Sequence, residues 1–216
     1  QRAGFAMGIV TAAYALGAVL APLGFEAAMI MGGFYWAMIM LGTVVFVAAI
    51  LAAVLVARSG MQYSRPISAN TISALPWSRI PTIWFAYGSG VAAGLMAIGH
   101  TAAIAASAGF AGWIAVSVIA ACNLVGSLLS GWLSDRFPHR VILTLLPLFG
   151  ATALIALTVL PDLTIILLGT VGFAYGGIIA TYPAAVAHLF TGEDGPRAYG
   201  RIFTAWGTAG LFAPWI

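Results

Sequence analysis

Apolar residues in this chain fall into long unbroken blocks, with no regular alternation between apolar and polar positions. Six blocks, residues 4–25, 34–57, 80–106, 111–132, 141–160 and 164–190, each reach about the 20 residues that an α-helix needs to cross a bilayer core, and a seventh opens at Ile202. Backbone inside hydrocarbon has no water to bind and must close its hydrogen bonds within each segment, so the pattern predicts an all-α polytopic membrane protein of helical bundles. The composition agrees: 62% of residues are hydrophobic, 6% are charged and the mean hydropathy is +1.07, which excludes a water-soluble core. The first block lacks a compact basic segment and a cleavage site, so it does not read as a signal peptide.

The few charges are ordered. Arg2 precedes the first block; Arg58, Arg65 and Arg79 follow the second, Arg136 and Arg140 the fourth, Arg197 and Arg201 the sixth. The connections after blocks one and five carry Glu26 and Asp162, and that after block three carries no charge. All 8 basic residues therefore fall on one side, about a 1 in 128 outcome for random placement, and the positive-inside rule makes that side cytoplasmic. The expectation is a multi-pass protein of the plasma or inner membrane with its N-terminal end in the cytoplasm and the lipid bilayer as its first partner. A net charge of +3 is too small for a nucleic-acid partner. The 1 cysteine, Cys122, lies within an apolar block and offers neither a disulfide nor a metal-type spacing.

One connection is long. Residues 58–79 hold Ser64-Arg65-Pro66 and Pro76-Trp77-Ser78 and read as a linker between two bundles. An internal repeat supports the division. With Pro22 set on Pro214, Gly8 meets Gly200, Ala13-Tyr14 meets Ala205-Trp206 and Ala21 meets Ala213, so block one resembles block seven in the same orientation. The chain opens on Gln1 and stops inside an apolar block, so it is expected to be a fragment of a twelve-span parent whose remaining helices complete it.

Between blocks four and five stands Gly131-Trp132-Leu133-Ser134-Asp135-Arg136-Phe137-Pro138-His139-Arg140, a compact charged turn. It resembles the loop motif of the major facilitator superfamily, Gly-x-Leu-(Ala/Ser)-Asp-Arg-x-Gly-x-(Arg/Lys), with Gly131, Leu133, Ser134, Asp135, Arg136 and Arg140 matching and Pro138 standing where the family has glycine. Gly17-x-x-x-Ala21-Pro22-x-Gly24 is similar to the family's helix-five motif. The resemblance implies that the fragment covers helices five to eleven. Residues 1–57 would then be the last two spans of the N-terminal bundle, 58–79 the cytoplasmic inter-bundle linker, and 80–216 the first five spans of the C-terminal bundle. It further implies that Gly131, Asp135, Arg136 and Arg140 form a cytoplasmic gate, in which Asp135 meets the start of helix five, residues 2–8, when that side is closed. Tyr199-Gly200-Arg201-Ile202-Phe203-Thr204-Ala205-Trp206-Gly207 looks like the helix-eleven entry of the oxalate/formate antiporter and monocarboxylate branch. The oxalate carriers hold their dianion with bases on helices eight and eleven. Helix eight here reads Asn123-Leu124-Val125-Gly126-Ser127 and helix eleven has no base deeper than Arg201, which argues against a dianion and leaves a monocarboxylate, an uncharged solute or an unrelated compound open.

Chemistry within the spans is sparse. Five carboxylates and three histidines are scattered too widely for a catalytic or metal constellation, so the chain is expected to be no enzyme and to use no cofactor or metal. His100, His139 and His188 show no ligand spacing, and Glu26 sits at an outer helix end, where a solvated role is expected. At mid-span depth lie Tyr14, Tyr87, Asn123, Tyr175 and Tyr182, with Trp206 near the start of block seven; these are the substrate-cavity candidates, able to orient a small solute through hydroxyl, amide and indole groups. Asn123 stands out, since an amide at that depth needs a partner or a wet cavity. Gly88-Ser89-Gly90 with Gly94, Gly172 with Gly176-Gly177, and Gly207 with Gly210 suit close or sliding helix contacts. The expected function is secondary active transport of a small-molecule substrate by alternating access, with a coupling proton or counter-substrate as further partner. The alternatives are a seven-span receptor and a structural membrane subunit without transport activity.

Overall fold

The computed structural model describes residues 3–60, 78–190 and 194–215, all helix, turn or short connection, with no strand among them. The helices are α1 (Ala3–Arg58), α2 (Ile80–Ser107), α3 (Gly112–Ser134), α4 (His139–Leu157), α5 (Thr164–Leu189) and α6 (Asp194–Phe212), with single 3-10 turns at Pro161–Leu163 and Ala213–Trp215. Five are long and apolar enough to cross a membrane, the first covering Gly4–Arg58. Most of the 58–79 linker lies outside the described residues.

The chain divides into two compact units, Gln1–Val19 with Ser73–Ile216, and Leu20–Ile72. The second unit is a helical hairpin. As one straight rod the 55-residue span would measure about 80 Å, against about 30 Å of hydrocarbon, so it has to turn. It does so at Gly32 and Gly33, where φ at Gly33 is 70°, a left-handed value that glycine adopts without steric cost. Beyond that corner the chain doubles back: a methyl group on Gly24 would lie 3.3 Å from the Met40 sulfur, although 16 residues of continuous helix would separate them by about 24 Å. Ala28 and Ala37 are buried in the hairpin, while Ile30, Met31, Phe46 and Leu55 face outward. The connection expected over 26–33 is thus reduced to a two-glycine corner, because Ala27 to Met31 are strong helix formers and stay helical.

In the first unit α5 is the central and most buried helix, packed on α3, α4, α2 and α6, while α2 also packs on α6 and α3. Glycines set the α3–α5 distance. A Cβ at Gly126 would overlap the Phe173 carbonyl, one at Gly172 the Ile119 carbonyl, and one at Gly176 the Asn123 carbonyl, so the two backbones touch along about two turns of α3. The connection between α2 and α3 is tight: Gly109 takes φ 82° and lets the Phe110 N–H reach the Ala105 carbonyl at 2.8 Å, sealing the end of α2. Helix α6 begins at Asp194, eight residues before the expected start at Ile202, with Asp194 and Pro196 in its first turn. Both residues favour a helix N-terminus, the acid through the macrodipole and the proline because it lacks an N–H that would go unpaired there.

Candidate functional site

Two constellations concentrate the polar chemistry of the first unit. The first lies at the turn between α3 and α4. The Arg136 and Phe137 N–H groups both donate to the Leu133 carbonyl, at 2.9 and 2.8 Å, closing α3, and Pro138 opens α4 at φ −57°. That φ is proline's own, so replacing the motif's glycine leaves the turn unstrained. The turn presents Asp135 to the start of α1, whose first N–H groups have no carbonyl within the helix to bind. Gly4 N–H donates to one carboxylate oxygen and Phe5 N–H to the other, each at 2.9 Å. This is the contact between Asp135 and residues 2–8 that the motif implies.

Missing side chains permit the approach. A Cβ on Gly131 would lie 2.9 Å from the Gly8 Cα, one on Gly8 would lie 2.8 Å from the Ser127 carbonyl oxygen, and one on Gly4 would strike the Ser134 hydroxyl. The Ser134 hydroxyl itself donates to the Gly131 carbonyl at 2.8 Å. Arg136 turns away from the contact and lays its guanidinium 3.6 Å above the Trp132 ring, and Arg140 is exposed in the first turn of α4. Negative charge at the N-terminus of α1 is favoured by the helix dipole and by charge-assisted hydrogen bonds, while exposure of Asp135 keeps the gain modest.

The second constellation is aromatic and joins α2, α5 and α6. Tyr87 is fully buried, with its ring centroid 4.5 Å from that of Tyr182 and 6.5 Å from that of Phe203. Phe203 stacks on Trp206 at 5.8 Å and 2°, and Tyr199 adds a further ring 5.6 Å from Phe203. The Trp206 indole N–H donates to the Tyr175 hydroxyl at 3.1 Å. The Tyr87 hydroxyl is buried without a hydrogen-bond partner, Tyr199 being the phenol beside it. Tyr14, exposed on α1, lies within electrostatic reach of Tyr175. Tyr175 also borders an apolar cavity of about 200 Å³ between α2, α4 and α5, lined by Gly90, Gly94, Leu146, Gly150 and Ile178.

Of the six residues singled out by depth, Tyr87, Tyr175, Tyr182 and Trp206 come together, and Tyr14 stands near Tyr175. Asn123 lies apart, buried on the α3 face that meets Gly176, with its carboxamide oxygen 3.4 Å from the Ser127 hydroxyl. Sequence reasoning left Tyr199 and Phe203 out of the cavity candidates, although they sit seven and three positions before Trp206 on one α-helical face. It also missed that His139 and His188 pack edge to face, their ring centroids 4.7 Å apart, because 49 positions of chain separate them.

Long apolar helices, a glycine-sealed core and scarce polar groups gathered at helix ends and between helices define a multi-pass membrane protein. A family model described as Major Facilitator Superfamily matches residues 80–216, and the chain belongs to that superfamily. No curated protein matches the chain. Membership makes it a membrane transporter of a solute, and the superfamily is generally non-enzymatic.

Proposed function

We propose that the chain carries the cytoplasmic gate and part of the solute site of a secondary transporter that moves a small organic monocarboxylate by alternating access. The observation that carries this reading is the pair of 2.9 Å bonds from Gly4 and Phe5 to Asp135. Residues 1–57 are assigned to one bundle and 80–216 to the other, joined by the 58–79 linker, so these bonds tie two bodies whose rocking would expose the site to either side. The one-sided placement of the arginines supports a cytoplasmic position for the gate.

The solute site is assigned to Tyr14, Tyr87, Tyr175, Tyr182 and Trp206, while Asn123 packs apart from them between α3 and α5. Neutral donors of this kind can meet one carboxylate charge through hydrogen bonds, whereas a buried dianion would call for bases that α3 and the deeper parts of α5 and α6 lack. The resemblance of residues 199–207 to the monocarboxylate branch supports the same class.

The test is counterflow of labelled monocarboxylates into vesicles holding the intact transporter. Uptake accelerated by unlabelled monocarboxylate on the far side is expected, and Asp135→Asn should slow turnover more than it weakens KM. Absence of trans-stimulated uptake across the class would remove the proposal.

A further inference from the structure

One face of α6 carries a ladder of rings. Tyr199, Phe203 and Trp206 follow one another at helical spacing, with centroids 5.6 and 5.8 Å apart, and the last two rings are parallel to within 2°. Phe203 is exposed and Trp206 half-buried, so the ladder is not sealed inside the bundle. Side chains on a helix lean towards its N-terminus, so the next rung, just beyond Trp206, belongs to residue 210. That residue is glycine. A Cβ on Gly210 would meet nothing nearer than the Leu95 Cδ1 at 3.9 Å, and one on Gly207 would have nothing within 4 Å. The ladder therefore ends in a vacant place with an indole as its floor.

Polar chemistry stands beside that place. The Trp206 indole N–H donates to the Tyr175 hydroxyl at 3.1 Å, and a phenol that accepts such a bond keeps its own O–H proton to donate. Trp206 lies 12 residues beyond the start of α6 and Tyr175 11 beyond the start of α5, about 18 and 16 Å along their helices, so the pair stands near mid-bilayer depth. Behind the ladder, Tyr87 is fully buried with its ring centroid 6.5 Å from that of Phe203, and its hydroxyl has no partner. A buried hydroxyl left unpaired costs free energy until an acceptor reaches it.

We propose that the solute is an aryl monocarboxylate, whose ring takes the vacant place over Gly210 and stacks on Trp206 while its carboxylate accepts the Tyr175 O–H. A flat ring extends the stack that Phe203 and Trp206 begin. A puckered, saturated ring of the same size buries similar area but cannot lie flat on the indole. The carboxylate, carried at the edge of the aryl ring, keeps clear of the negative face of the indole. Stacking of an aromatic pair gives about a 3- to 10-fold preference beyond the burial of equal area. The inference deepens the solute-site reading above and rests on it.

The experiment compares benzoate with cyclohexanecarboxylate, equal in charge and in carbon count, one flat and one puckered. Binding of each to the purified intact transporter in nanodiscs is measured by titration calorimetry against empty nanodiscs. Benzoate should bind about 3- to 10-fold more tightly. Gly210→Leu, which fills the rung, and Trp206→Leu, which removes its floor, should each bring that ratio below about twofold. Gly99→Leu, at a position where a Cβ also meets nothing within 4 Å, should leave the ratio unchanged, and unfolding temperatures check that every variant is folded. Equal affinities for the two acids in the parent overturn the inference and leave the monocarboxylate reading standing. A ratio undiminished in Gly210→Leu, with a raised unfolding temperature, makes the rung a packing place for another helix and overturns it as well. If neither acid binds and propanoate does not bind either, the monocarboxylate reading falls and this inference with it.

Discussion

Replacing Asp135 by asparagine removes one charge and little volume, so its effect can be worked from the contact itself. The carboxylate accepts two N–H groups, from Gly4 and Phe5, each at 2.9 Å. An asparagine carboxamide keeps one acceptor oxygen and turns an NH2 donor towards the second N–H. One hydrogen bond is lost, worth about 0.5–1.5 kcal/mol net, together with the attraction of a negative charge for the helix N-terminus, about 0.3–1 kcal/mol at an exposed site. Discounted for solvent, the sum is about 1–2 kcal/mol against the closed form, which is about a 5- to 30-fold rise in the open-to-closed ratio. Spin-label distances between Ala6→Cys and Phe137→Cys read that ratio directly, and initial rates of exchange read its cost in turnover. Asp135→Glu keeps the charge on a longer stem and should fall between the two. A change below twofold in the Asp135→Asn population would refute the reasoning, because it would mean that the contact contributes nothing to closure.

Bulk at Gly131 should act more strongly on the gate than the loss of charge. In Gly131→Val the new Cβ would sit 2.9 Å from the Gly8 Cα, so α1 and α3 must part, and the long-distance population is expected to dominate at every pH. Gly176→Val instead drives a side chain into the Asn123 backbone inside one bundle, and its signature should be lost stability, about 1–3 kcal/mol or more, read as a lower unfolding temperature in detergent. Tyr175→Phe leaves the Trp206 indole N–H without its 3.1 Å acceptor at a partly buried position. It should weaken solute binding about 5- to 10-fold, from about 1 kcal/mol, and leave thermal stability nearly unchanged, as measured by competition of unlabelled solute in counterflow. For topology, a cysteine at Phe137 should react with an impermeant thiol reagent from the cytoplasmic side alone and one at Asp162 from the outside alone; reaction of both from one face would contradict the orientation.

The membrane spans were legible because hydrocarbon imposes one requirement on every residue of a span. The start of α6 was not, because Asp194 to Arg201 is polar and its helicity comes from first-turn chemistry and packing on α2 and α5, to which hydropathy is blind. The corner at Gly32 and Gly33 was hidden for the opposite reason: Ala27 to Met31 are apolar and continue the helix beyond the depth at which a loop was expected. The Asp135 contact was readable from a local motif plus a physical rule, that a helix start attracts an anion. Pairings set only by folding left no local trace. His139 meets His188 because α4 and α5 pack antiparallel across a short turn, and Tyr87 meets Tyr182 and Phe203 because three helices converge. Asn123 was singled out by depth, but depth does not tell which way a helix faces, and the structure turns that face towards Gly176.

The central claim is that the α1–α3 contact must open and close for a solute to cross. A reversible lock tests it most directly. In a Cys122→Ala background, Ala6→Cys and Phe137→Cys, both exposed beside the Asp135 contact, are bridged by a short bis-thiosulfonate linker whose disulfide bonds tie the two sides together. With the bridge formed, counterflow of labelled monocarboxylate in vesicles should fall to the level of empty vesicles, and reduction should restore it. Undiminished counterflow through the cross-linked protein would contradict the account.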